Sequence, residues 1–194
     1  GLGDVYKRQD QACGDIGPGR MSEPKEIIQE VAKEFSSGLL AGKKVLITAG
    51  PTREKIDPVR YISNKSSGKM GFSLAKAAVG ESAIVTLISG PVTLETPERV
   101  HRIDIESAEE MREKVIENLS DIDLFISTAA VADFKMKNAK PQKIKKDQSK
   151  SMSLQLEKNE DILKLVSKNN PELKIVGFAA ETENMIDNAR KKLS

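Results

Sequence analysis

One cysteine, one histidine and no tryptophan occur in the 194 residues. A single thiol, Cys13, has no partner for an internal disulfide, which fits a reducing, cytoplasmic setting. One histidine with no cysteine near it argues against the close-spaced ligand sets of structural zinc sites, and His101, in the strand-like HRIDI, is expected at the surface or in the core. No apolar run approaches the ~20 residues that cross a bilayer as a helix, so no membrane partner is expected. Charge of one sign is not in excess either. The formal net charge is +2 although 31% of residues are charged, so there is no global footprint for nucleic acid. Two common nucleotide fingerprints are also missing. No G-x-G-x-x-G occurs, and GKMG (residues 68–71) lacks the Ser or Thr after Lys that a P-loop uses to hold magnesium.

What is present is an alternation of strand-like and helix-like segments. KKVLITA (43–49) is followed by a long polar stretch and by a helix over 71–79. SAIVTLISG (82–90) is a continuous apolar, β-branched run of the kind buried in parallel sheets, and a Pro-interrupted loop then leads to VHRIDI. Ser107, with Glu110 three residues on, predicts a capping box for a helix over 107–119 that faces Met111, Val115 and Leu119 inward. DLFISTAA (123–130) reads as a strand, NEDILKLVSKN (159–169) as a helix, KIVGFAAE (174–181) as a strand, and the last segment as a helix capped by Thr182. Repetition of strand, crossover and strand predicts an α/β fold: a Rossmann-like, doubly wound, mainly parallel sheet with helices on both faces. Residues 1–9 have no periodicity, cap or apolar face and are expected to be a tag, artefact or disordered segment. A helix over 23–35 with Pro24 near its start precedes a small, Gly-punctuated linker at 36–42, and the main domain is expected over 43–194.

The polar stretch is GPTREKIDPVRYISNKSSGKMG (50–71). It joins a strand's carboxyl end to a helix's amino end, where phosphate-bearing ligands usually sit. Ser66, Ser67, Gly68 and Gly71 offer hydroxyls and closely spaced N–H groups, while Arg53, Arg60, Lys65 and Lys69 offer charge. Asn64 could orient a carboxylate or carbonyl. Chemistry alone leaves two readings open, an anion-binding turn and a structural Gly/Ser loop. A second polar stretch follows STAA: seven lysines fall between Lys135 and Lys150 against one acid, Asp147. Such a run is either a solvated face or a lysine-rich flap that closes on a polyphosphate.

The stretch 50–71 resembles, over nearly its whole length, the signature of the phosphopantothenoylcysteine synthetase family, the second half of the bifunctional coenzyme A biosynthesis flavoprotein. AAVADF with the downstream KIKK is similar to that family's second signature, and ACGDIGPGRMSEP resembles the end of its decarboxylase domain. The resemblance implies a CTP-dependent ligase, expected to be cytoplasmic, that joins 4'-phosphopantothenate to cysteine through an acyl-cytidylate with Mg2+. It implies that residues 10–35 are the decarboxylase remnant and that the synthetase domain stops short of its carboxyl end. By the same resemblance Asn64 holds the acyl-cytidylate, Arg60 assists the later half-reaction, and Lys143 is catalytic. Ser66, Ser67, Gly68 and Lys69 hold the substrate's phosphate. Ser127, Thr128, Ala129, Asp133, Lys143, Asp161, Ile162, Leu163, Phe178 and Lys192 line the nucleotide site, and Asp133 is a candidate partner for the ribose or a magnesium ion, or else a cap. Phe178 is read either as a platform for the cytosine ring or as core. Cys13 matches the decarboxylase's proton donor, or is an idle thiol, since the body that binds FMN is not in this sequence and no decarboxylation is expected. Glu160 stands where the family has proline, which loosens the turn and adds negative charge. A homodimer through the synthetase domain is expected. An NADPH-binding Rossmann reductase and a fragment that binds nucleotide with little turnover are the alternatives. The reductase is disfavoured because VLITAGPT lacks the pyrophosphate-turn spacing and SAIVTLISG ends in glycine where an acid for the ribose belongs.

Overall fold

The computed structural model describes residues 8–10, 16–18, 38–145 and 152–178, and the chain divides into two units, 1–37 and 38–194. In the first unit Arg8–Asp10 (β1) pairs antiparallel with Ile16–Pro18 (β2), Arg8 opposite Pro18. Arg8 and Gln9, at the end of the segment expected to be a tag, artefact or disordered, carry no strand pattern in sequence yet pair here. Backbone pairing alone needs no side-chain alternation. Cys13, the helix expected over 23–35, the helix after Thr182 and Lys192 lie outside the described residues.

In the second unit Lys44–Ala49 (β3) leads to a short hairpin, Arg53–Lys55 (β4) with Tyr61–Ser63 (β5), and then to helix Lys69–Gly80 (α1). Strands Ile84–Ser89 (β6) and Val100–Asp104 (β7) follow, then helix Ala108–Glu117 (α2) and strand Leu124–Ser127 (β8). Phe134–Met136 (β9) and Leu156–Lys158 (β10) form an antiparallel ladder, and Ile162–Asn169 (α3) precedes Lys174–Gly177 (β11). The five strands β11, β8, β3, β6 and β7, in that order, make a wholly parallel sheet. Sequence order therefore reverses between β3 and β8. That is the switch point of a Rossmann-like sheet, and the crevice beyond its carboxyl ends is where such folds bind ligands.

Side chains of a strand alternate between faces, and β3 is buried on both. Val45, Ile47 and Ala49 pack with Phe72, Ala75, Ala78 and Val79 of α1. Leu46 packs instead with Phe125, with Met111 and Val115 of α2 and with Ile162 and Val166 of α3. Complete burial of a residue such as Leu46 contributes about 2 kcal/mol. Helices thus cover both faces, as the alternation predicts. Ser107 caps α2, its hydroxyl accepting from Glu110 N–H at 3.2 Å, but the return bond of the expected capping box goes one residue further back, from Glu106 N–H to the Glu110 carboxylate at 2.7 Å. The buried Glu54 supplies a second cap by accepting from Ala108 N–H at 2.9 Å, which ties the β4–β5 hairpin to α2. Helix α3 starts later than the pattern 159–169 suggests. Asp161 is its cap, accepting from Lys164 N–H at 3.0 Å. Among the described residues no helix is long and apolar enough to cross a membrane.

Candidate active site at the switch point

Two chain segments leave the sheet at the switch point and are joined to each other. Thr128 donates both its N–H (3.1 Å) and its hydroxyl (2.6 Å) to the Thr48 carbonyl, and Ala130 N–H donates to the Gly50 carbonyl at 2.8 Å. Pro51 and Ala130 form a parallel bridge, and the buried Thr52 hydroxyl accepts from Ala132 N–H at 3.0 Å. The loop after β6 closes in from the other side. A Cβ on Gly90 would fall 1.7 Å from the Pro51 carbonyl oxygen, so only glycine lets these two backbones approach. The crevice floor is a rigid lattice of peptide groups and hydroxyls.

Helix α1 begins on this floor. Gly68, at φ 74°, is its cap and gives no side-chain cap bond, and no acid stands in the first turn. Ser66 and Ser67 hydroxyls reach back toward the N–H groups of Gly68 and Lys69 at 3.3 and 3.5 Å. A Cβ on Gly71 would lie 2.5 Å from Ala49 Cβ and 2.6 Å from Thr128 Oγ1, so this glycine seats the helix end against both floor segments. The result is a helix amino end with positive dipole, serine hydroxyls and Lys69, the arrangement that binds a phosphate.

Asn64 bridges the two halves of the crevice. Its side-chain amide nitrogen donates to the Val131 carbonyl at 2.9 Å, which identifies that end as nitrogen and turns the amide oxygen the other way. On the far half, Gly177 stands in register with Ser127, and Leu163 packs against Gly177, where a Cβ would meet its Cδ2 at 2.7 Å. Asn159 binds the segment after β8 twice, its N–H to the Asp133 carbonyl and its side chain to the Ala132 carbonyl, both at 2.8 Å. Ser127, Thr128, Ala129, Asp133, Asp161, Leu163 and Phe178 are therefore brought to one neighbourhood. Phe178 is 50% exposed, so it is not buried in the core. Ile162 is buried in the core, so only its backbone can serve a ligand, and Asp161 is engaged as a cap.

The lysine stretch is partly a ladder and partly a docked loop. Beyond β9 its backbone is held where Lys140 N–H donates to the Ile56 carbonyl (2.9 Å) and Ile144 N–H to Asp57 (3.1 Å). Arg60 donates to the Ile144 carbonyl at 3.1 Å and lies 3.3 Å from the Asp57 carboxylate. Burial pushes the Asp57 carboxyl up, but N–H groups of Val59, Ile144 and Arg60, with the Arg60 charge, outweigh it and hold it below the ordinary carboxylate range. Lys143 is exposed beside this anchor. Among the described residues Lys65, Lys69 and Lys143 enter no ion pair, whereas Lys55 and Lys135 do, with Glu106 and with Glu109 and Glu157. Arg53 stacks on the Tyr61 ring at 4.7 Å. Asp57 and Thr52 are the structural members of the site that motif reading passes over. The signal for Asp57 was D-P-x-R, an Asp whose side chain closes the following turn.

These features define a Rossmann-type α/β domain with a glycine-capped, serine-flanked helix amino end at its switch point and a lysine-rich arm. The chain belongs to the DNA/pantothenate metabolism flavoprotein C-terminal domain family, whose model matches residues 40–194. It is similar to the coenzyme A biosynthesis bifunctional protein CoaBC of Vibrio vulnificus (strain YJ016), 52% identical over 188 residues, covering 95% of this chain and 46% of that protein. The corresponding protein of Bacillus subtilis (strain 168) is 49% identical over 187 residues, covering 94% and 46%. The chain thus spans about half the length of the curated relatives it matches. Among solved structures, the crystal structure of the C-terminal domain of CoaBC superposes with a TM-score of 0.72 at 45% identity, covering 81% of this chain and 74% of that one. A Cab2 mutant in complex with phosphopantothenate-cysteine shares the fold at TM-score 0.61 and 19% identity, covering 90% and 77%.

Proposed function

We propose that this chain is a phosphopantothenate–cysteine ligase that uses CTP. The observation that carries the reading is Asn64, held by Val131 at the seam between a phosphate-binding helix end and a cluster suited to a nucleotide. A carboxylate is a poor electrophile at neutral pH and must be activated. Its oxygen attacks the α-phosphorus of CTP, the bond to the β-phosphate breaks, and pyrophosphate leaves. The cysteine amine then attacks the acyl carbon, CMP departs with the bonding pair, and the amine's proton is lost to solvent.

Ser66, Ser67, Gly68 and Lys69 hold the pantothenate phosphate in this reading, and Lys143, with Lys192, neutralises the triphosphate. Asn64 holds the acyl-cytidylate through its amide oxygen. Phe178 faces the base, with Ser127, Thr128, Ala129 and the start of α3 around it. Magnesium, when bound, supplies charge neutralisation of the leaving pyrophosphate. Phosphate oxygens and water would supply most of its ligands, with Asp133 the candidate carboxylate. Two copies would meet through the β9–β10 arm, where Phe134 and Leu156 are exposed.

Incubation with phosphopantothenate, CTP, magnesium and radiolabelled cysteine tests the reading: labelled amide and stoichiometric CMP are expected. Asn64→Asp is expected to keep CTP binding and lose amide formation. Consumption of NADPH with no use of CTP would replace this reading with the reductase one.

A further inference from the structure

The site's most constrained charge is not among its expected catalytic residues. The Asp57 side chain is fully buried, and both of its oxygens are engaged. One oxygen accepts from Val59 and Arg60 N–H, each at 2.8 Å, closing its own turn. The other faces the arm, accepting Ile144 N–H at 3.1 Å, with the Arg60 guanidinium at 3.3 Å. That guanidinium in turn donates to the Ile144 carbonyl at 3.1 Å. The N–H and the C=O of one residue are thereby held by two partners that are themselves paired.

We propose that Asp57 is a positioning residue that docks the lysine arm and so sets the direction of Lys143. A peptide unit is planar, so fixing Ile144 N–H fixes the plane that contains the Lys143 α-carbon. Fixing the Ile144 carbonyl does the same for Lys145. Lys140 N–H on the Ile56 carbonyl, followed by Pro141 with its restricted φ, supplies a second pin on the same turn. The Lys143 side chain, between these pins, is exposed. The docking rests on geometry alone, and what Lys143 then does rests on the ligase reading above. A carboxylate suits this post because it is acceptor-only. An amide at 57 would turn an N–H either toward Ile144 N–H or toward the turn's own donors.

Amide hydrogen exchange in the unchanged chain comes first. Ile144 is expected to exchange at least about tenfold more slowly than Lys143 and Lys145; equal rates overturn the proposal. Asp57→Asn is then expected to lower amide formation about tenfold while phosphopantothenate binds within about twofold of the parent. In a Lys143→Gln background the same change is expected to cost less than about twofold, because a residue acting through Lys143 has nothing left to position. An additive loss would mark Asp57 as merely structural and overturn the proposal. Should Asp57→Asn fail to fold, Ile144→Pro removes the same donor from the exposed side and is expected to give the same non-additive loss. Unchanged turnover in that variant overturns the docking. If the parent chain forms no amide at all, the ligase reading fails, and the Ile144 exchange rate alone decides the docking.

Discussion

The crevice floor and the lysine arm are built on opposite terms. Thr48–Thr52 and Thr128–Ala132 are joined at nearly every residue, through peptide groups and buried hydroxyls, with glycines where backbones touch. The arm beyond β9 is pinned at Lys140 and Ile144, and its lysines face solvent. A floor that is complete before ligand arrives loses no order on binding, which favours the part of the substrate that never changes, a terminal phosphate. On an arm pinned at its backbone, the exposed lysine side chains keep the freedom that a triphosphate would require of them in the proposed reaction. In the proposed ligase the floor would serve recognition and the arm chemistry, so substitutions in the two regions should fail in different ways.

The largest effect is expected from Gly90→Ala. A methyl 1.7 Å from the Pro51 carbonyl cannot be absorbed by a side-chain rotation, so the floor itself must move, at about 3 kcal/mol or more. A thermal melt should show a loss of roughly ten degrees, with binding of phosphopantothenate lost alongside. Retention of both would show that the floor is softer than its bonding. Lys143→Gln is the mirror experiment. This exposed residue enters no ion pair among the described residues, so the melt should not change, while turnover should fall about a hundredfold, near 2.7 kcal/mol in the barrier. A drop in melting temperature instead would make the arm part of the core.

Thr52→Val probes the floor more gently. The hydroxyl is replaced by a methyl of similar size, and the buried Ala132 N–H loses its acceptor at 3.0 Å. About 1–2 kcal/mol of stability should be lost, measurable by urea denaturation, with the turnover of the remaining folded protein little changed.

The sequence was most legible where burial sets the pattern. β3 and β6 are mostly apolar, β-branched runs because both faces are covered, and Ser107 announces α2 because an orphan N–H needs an oxygen. It was least legible where backbone pairing acts without side-chain periodicity. REK and YIS of the β4–β5 hairpin, and FKM and LEK of the arm ladder, are three-residue strands with polar members, and nothing in them alternates over a usable length. Asn159 looks like part of a helix because it precedes one, yet its partners are Ala132 and Asp133, some 26 residues back, a pairing that no local window contains. The polar turn was visible as residue types, whereas the bonds of Asn64 to Val131 and of Asp57 to Ile144 depend on chain segments that only the fold brings together.

Acid should separate the two regions with the smallest perturbation of all. The floor is sewn by hydroxyls and peptides, which do not titrate, while the arm's anchor passes through one carboxylate. Because the Asp57 carboxyl sits below its ordinary value in the folded chain, its contribution is fully present above the unfolded value of about 3.9 and is lost as pH falls through the lower folded value. The charge that faces it is the Arg60 guanidinium, at 3.3 Å. The amide resonance of Ile144 should therefore shift below about pH 4 while that of Ala130, bonded to the Gly50 carbonyl, stays in place until the domain unfolds. Movement of both resonances together would mean that acid acts on the fold as a whole, and the contrast between a fixed floor and a releasable arm would be lost.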